Sequence, residues 1–143
     1  MNWFSSIPEK YRNEILDRLK HDKLKIDDPS CSQYQIVLDL MGKDEQQLFK
    51  DKVEKIYREG RIFHLMGDTE KAMSRYQKVL AISIKQPIWY FAPRSCLYMG
   101  NIFQLGNDKK RAIYFYKKTL EYEGYEGSNG VEIKANAGLN ELQ

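Results

Sequence analysis

The chain repeats itself at a spacing of forty residues, and this constrains its fold more than any other feature. A shift of forty sets Gly60 on Gly100, Ile62 on Ile102, Phe63 on Phe103, Leu65 on Leu105 and Asp68 on Asp108. It also sets Ala72 on Ala112, Tyr76 on Tyr116, Lys78 on Lys118 and Leu80 on Leu120, nine identities over the twenty-one positions from Gly60 to Leu80. A period of this length marks stacked supersecondary units, each too small to bury its own apolar face.

Each copy reads as two helical patterns around a polar turn. Ile56, Gly60, Phe63 and Met66 fall at helical spacing, as do Ala72, Tyr76, Val79 and Leu80 after the turn Gly67–Asp68–Thr69. Gly67 suits the left-handed position that ends a helix, and Asp68 or Thr69 suits the cap of the next. In the second copy, Cys96, Gly100 and Phe103 precede Gly106–Asn107–Asp108, and Ala112, Tyr116, Thr119 and Leu120 follow. A glycine inside a helix costs about 1 kcal/mol relative to alanine. Gly60 and Gly100 at equivalent positions therefore imply a shared cause, a close approach with a large side chain of the partner helix lying over the gap.

The remaining segments are read in order. Ser6 and Glu9 form a capping box, with Pro8 in the first turn, for a helix reaching Leu24. A shorter helix, Ser32–Met41, follows the break at Asp27–Ser30, and a third, Glu45–Met66, leads into the first copy. Ala81–Phe91 is apolar and is expected to extend its helix and then pack as a loop. Glu121–Gly130, with three glycines and no apolar period, is expected to lack structure of its own. A last helix is expected over Val131–Leu142.

The pattern of a small residue, an aromatic three positions on, a Gly or Asn turn, then Ala and an aromatic four positions on resembles the tetratricopeptide repeat (TPR). Gly60/Phe63/Ala72/Tyr76 and Gly100/Phe103/Ala112/Tyr116 carry the resemblance, and Ile133–Leu139 resembles another first helix cut short. The period departs from the family's, forty residues here against about 34. The C-terminal two-thirds, with Tyr90–Phe91–Ala92–Pro93, also resembles the tail of larger TPR proteins from Bacteroidetes-type bacteria. The resemblance implies an all-α fold, an α-α superhelix of stacked hairpins with about six to seven helices. One domain is expected over residues 1–143, divided into an N-terminal helix pair at 1–43 (a degenerate repeat or cap), repeat 1 at 44–86, repeat 2 at 90–122 and a capping helix at 131–143.

The resemblance also implies a function. First helices of such repeats line a concave groove that holds peptides or partner proteins. Carried over, its positions are Glu54, Tyr57, Arg58, Arg61 and His64 in the first copy and Arg94, Leu97, Tyr98, Asn101 and Gln104 in the second. Of these, Tyr57, Arg58, Arg61, His64, Arg94, Tyr98 and Asn101 are the candidate partner-binding residues. Three arginines beside two tyrosines suit an acidic or C-terminal segment. The family's carboxylate clamp is met only at Asn101, since Leu97 stands where its lysine belongs. The competing reading is a solvated face with helical pairs such as Glu54–Arg58. An alternative function is self-association, a homodimer whose groove is filled by its own loops or by a second copy, with Ile88–Phe91 as the contact.

Composition sets the remaining bounds. A formal charge of +3 is too small to argue for nucleic acid, and the basic runs Lys109–Arg111 and Lys117–Lys118 are offset by Glu121 and Glu123. His21 and His64 stand alone, with no metal-ligand spacing, and Cys96 with His64 has no third orienting residue. An enzyme, a metal and a cofactor are therefore not expected. Cys31 and Cys96 read as reduced thiols. Glu9–Lys25 is too charged for a signal peptide, and no apolar run approaches the ~20 residues of a membrane span. The expected location is cytoplasmic.

Overall fold

The computed structural model describes residues 43–83 and 88–143, together with Glu9 and Asn13. The helices expected over Ser6–Leu24 and Ser32–Met41 lie outside the described residues, as do His21, Cys31 and Pro87. Among the described residues the fold is all-helical, with five helices against the six to seven expected. They are α1 (Lys43–Leu65), α2 (Thr69–Ile82), α3 (Phe91–Leu105), α4 (Lys109–Thr119) and α5 (Ser128–Leu142). α1 packs on α2 and α3 on α4; α2 joins the two pairs through α3, and α5 closes on α4 and α3.

The two hairpin turns are built alike because their sequences end and begin helices in the same way. The amide of Asp68 donates to the Phe63 carbonyl at 2.9 Å and that of Gly67 to the His64 carbonyl at 3.1 Å. Forty residues on, Asp108 donates to Phe103 at 2.9 Å and Asn107 to Gln104 at 3.1 Å. This double bond pattern satisfies the last carbonyls of a helix and needs a left-handed residue. Gly67 supplies it with φ of 83°, and Asn107, the non-glycine type that best tolerates this region, with φ of 60°. Asp68 and Asp108 then cap α2 and α4, each accepting from the amide three residues on at 3.2 Å.

The internal glycines have the cause inferred from the repeat. A Cβ on Gly60 would lie 2.9 Å from the Tyr76 ring, and one on Gly100 would lie 2.6 Å from the Tyr116 ring. Both tyrosines are fully buried. Their outer faces differ. Tyr98 stacks on Tyr76, with centroids 5.8 Å apart and rings 27° from parallel. In the same register on α5 stands Gly138, where a Cβ would lie 2.5 Å from the Tyr116 ring. Tyr116 is thus held between two glycines. Gly138 of α5 faces Tyr116 as Tyr98 of α3 faces Tyr76.

Two apolar clusters result. Phe49, Val53, Ile56, Tyr57, Tyr76, Val79 and Ile82 join Phe91 and Met99 in the first. Leu97, Ala112, Tyr116, Tyr125, Val131, Ala135 and Leu139 form the second. α3 serves both, with Met99 on one side and Leu97 on the other.

One expectation is corrected. α5 begins at Ser128, three residues before Val131, and the segment before it is folded rather than loose. Gly124 and Gly127 take positive φ of 74° and 81°, turning the chain so that Tyr125 enters the second cluster, 4% exposed. The glycines shape a turn here instead of breaking structure. Of the segment Ile88–Phe91, expected as a dimer contact, Phe91 is buried, while Ile88, Trp89 and Tyr90 are half-buried against the two clusters. Trp89 lies 6.1 Å from Phe49, Tyr90 meets Tyr57 edge-on at 5.9 Å, and Phe91 is 1% exposed.

Candidate functional site

The first helix of each unit presents the same two positions to the tyrosine of its partner helix, and different residues occupy them. In the first unit they are Arg61 and His64. The Arg61 Nη1 donates to the Tyr76 hydroxyl at 3.3 Å, and the His64 Nδ1 lies 3.0 Å from that hydroxyl and 3.2 Å from Arg61 Nη1. Two donors converge on Nδ1, so it acts as the acceptor and the imidazole is neutral, with its proton on Nε2. Burial, then the Arg61 charge, lowers the His64 pKa, which agrees with this state.

The Arg61 guanidinium also lies over the Tyr98 ring, 3.8 Å from its centroid, and His64 meets Tyr98 edge-on at 5.8 Å. Tyr57 closes the group, 6.5 Å from both Tyr76 and Tyr98. Burial, then the neighbouring Tyr98, raises the Tyr57 pKa. Burial raises that of Tyr76 as well, against the opposing charge of Arg61. These phenols remain neutral across the physiological range.

In the second unit the same positions carry Asn101 and Gln104. The Tyr116 hydroxyl lies 2.7 Å from the Asn101 amide oxygen and 2.6 Å from that of Gln104. A hydroxyl has one proton and can donate to only one of them. Gln104 is fixed from its other end, where Nε2 donates to a Glu141 carboxylate oxygen at 2.7 Å, so its oxygen takes the Tyr116 proton. The Asn101 oxygen also faces this hydroxyl, inward toward Tyr116.

Above this second knot lies an open depression of about 400 Å³, lined by His64, Asn101, Gln104, Leu105 and Glu141. Its lining residues come from α1, α3 and α5, and Arg61, Asn101 and Glu141 stand forty residues apart in sequence. Leu105 is 83% exposed on its rim.

The sequence-derived residues divide. Tyr57, Arg61, His64 and Tyr98 are brought together in one cluster, and Arg94 reaches its edge with its guanidinium 4.6 Å from the Tyr90 centroid. Asn101 lies on the floor of the depression. Arg58 joins neither and pairs with Glu54 at 2.9 Å along α1, its side chain 71% exposed, as the competing reading expected. Leu97 faces the second core cluster. Glu141 was missed, although its place forty residues past Asn101 identifies it. Lys109, Lys110, Arg111 and Lys117 are exposed on α4.

Cys96 is wholly buried and free, and burial pushes its thiol up to about 12, so it is not a nucleophile at neutral pH. Among the described residues there is no cluster of three His, Cys, Asp or Glu able to hold a metal, and no helix long and apolar enough to cross a membrane. No protein-family model, curated protein or solved structure matches the chain.

Proposed function

We propose that the chain is a non-enzymatic binding module of the tetratricopeptide-repeat type, whose units stack as an α-α superhelix and present a groove to a peptide or partner protein. One observation carries this reading: a depression runs across α1, α3 and α5, and three of its lining side chains, His64, Asn101 and Gln104, are held by Tyr76 and Tyr116. Side chains fixed in this way lose little freedom on binding, so rigid display favours affinity. The module needs no cofactor and acts in the cytoplasm, where the buried thiol of Cys96 stays reduced. The arginines that prompted an acidic ligand have intramolecular partners, Glu54 for Arg58, Tyr98 for Arg61 and Tyr90 for Arg94. Self-association is the second reading, and the packing of Ile88–Phe91 against the chain's own clusters leaves it less apolar surface than the sequence suggested.

The test is fluorescence anisotropy with labelled pools of short random peptides. Leu105→Ser, on the rim, should weaken binding severalfold, and Lys110→Ser, exposed on α4, should leave it unchanged. Equal effects of the two, or no binding to any pool, would refute the groove.

A further inference from the structure

We infer that the depression selects a cationic side chain, the guanidinium or ammonium of an arginine or lysine in the bound peptide, with Glu141 as its counter-ion. This rests on the groove reading above and assigns the chemistry of its ligand, which is opposite to the acidic segment expected from sequence.

His64 is neutral, held so by the Arg61 and Tyr76 donors on Nδ1. Arg61 lies behind His64, with its guanidinium over the Tyr98 ring and its Nη1 on the His64 Nδ1, and does not line the depression. Glu141 is therefore the sole ionised side chain among the residues lining the depression. Its described partner is the neutral Gln104 amide, and no described cation lies within ion-pair distance of it. The Tyr116 hydroxyl fixes the Gln104 amide, which in turn orients the Glu141 carboxylate. A carboxylate held in this way keeps acceptor sites beyond the one that Gln104 fills. A group carrying several N–H donors and a positive charge satisfies them, while a second carboxylate would meet repulsion. Leu105, exposed on the rim, offers apolar surface to the methylene stem that arginine and lysine share.

The experiment measures anisotropy of the 143-residue chain with three fluorescein-labelled peptide pools, random except for a central arginine, citrulline or glutamate. Citrulline keeps the shape of arginine and lacks its charge. The arginine pool should bind roughly three- to tenfold more tightly than the citrulline pool, as for a partly exposed pair, and the glutamate pool should bind weakest. Glu141→Gln should abolish the arginine advantage, and Asn101→Asp should enlarge it. Added salt should shrink it. Equal binding of arginine and citrulline pools overturns the inference and leaves the groove standing, as does a preference for arginine that survives Glu141→Gln. Absence of binding by all three pools removes the groove itself, and the inference with it.

Discussion

Alanine at Gly100 should destabilise the protein, although alanine is the better helix former. In an open helix the exchange gains about 1 kcal/mol. At Gly100 the new methyl would lie 2.6 Å from Tyr116 Cε1 and 2.7 Å from Cδ1. Ordinary carbon contacts lie at about 3.5–4.0 Å, so the ring must retreat by roughly 1 Å. It has nowhere to go, because its far edge already presses on Gly138. Overpacking of this kind costs about 1–3 kcal/mol, which leaves a net loss of up to about 2 kcal/mol. Gly60 is less crowded, with Tyr76 Cε1 at 2.9 Å, and its alanine should fall between neutral and a loss of about 1 kcal/mol. Gly130, inside α5, has nothing within 4 Å of its Cβ position, and there the same exchange should stabilise by about 0.5–1 kcal/mol. Urea denaturation followed by circular dichroism ranks the variants. The expected order is Gly130→Ala, parent, Gly60→Ala, Gly100→Ala, from most to least stable. In a Tyr116→Ala background the Gly100→Ala exchange should become stabilising. A Gly100→Ala protein as stable as Gly130→Ala would refute the packing argument.

Two further outcomes follow from the buried titratable groups. The His64 pKa is lowered in the fold, so the unfolded chain binds more protons as pH falls through the ordinary imidazole range near 6.5. Stability is full above that range and declines below it until the folded group also titrates; His64→Gln, which copies Gln104 at the equivalent position, should flatten this dependence in denaturation measured from pH 7.5 to 5. The Cys96 thiol, pushed up to about 12, should resist a thiol reagent at pH 8 in a Cys31→Ser variant and react at once on unfolding, so rapid labelling of the native protein would contradict its burial.

The repeat carried most of the fold because identity at a fixed shift reports packing directly. Gly60, Gly100, Tyr76 and Tyr116 matched in sequence, and they match in space because only glycine admits the ring between paired helices. The turns were legible for the same reason, since Gly67, Asn107 and the two aspartates have few alternatives at helix ends. The site was less legible. Arg61 reads in sequence as a free cation, but its long side chain has many rotamers, and the Tyr98 face captures it only once α3 is stacked. Glu141 was hidden because its neighbours in the groove come from α1 and α3, far away in sequence. The turn through Tyr125 was misread because the same glycines that break helices also allow the two positive φ angles it needs.

Heteronuclear NMR mapping of a bound peptide tests the central claim most directly. With the arginine-centred pool, the shifts should concentrate on the ring of His64, the side-chain amides of Asn101 and Gln104, the methyls of Leu105 and the backbone at Glu141. Shifts centred on Lys109–Lys118 of α4, or spread evenly over the surface, would contradict a groove formed by α1, α3 and α5.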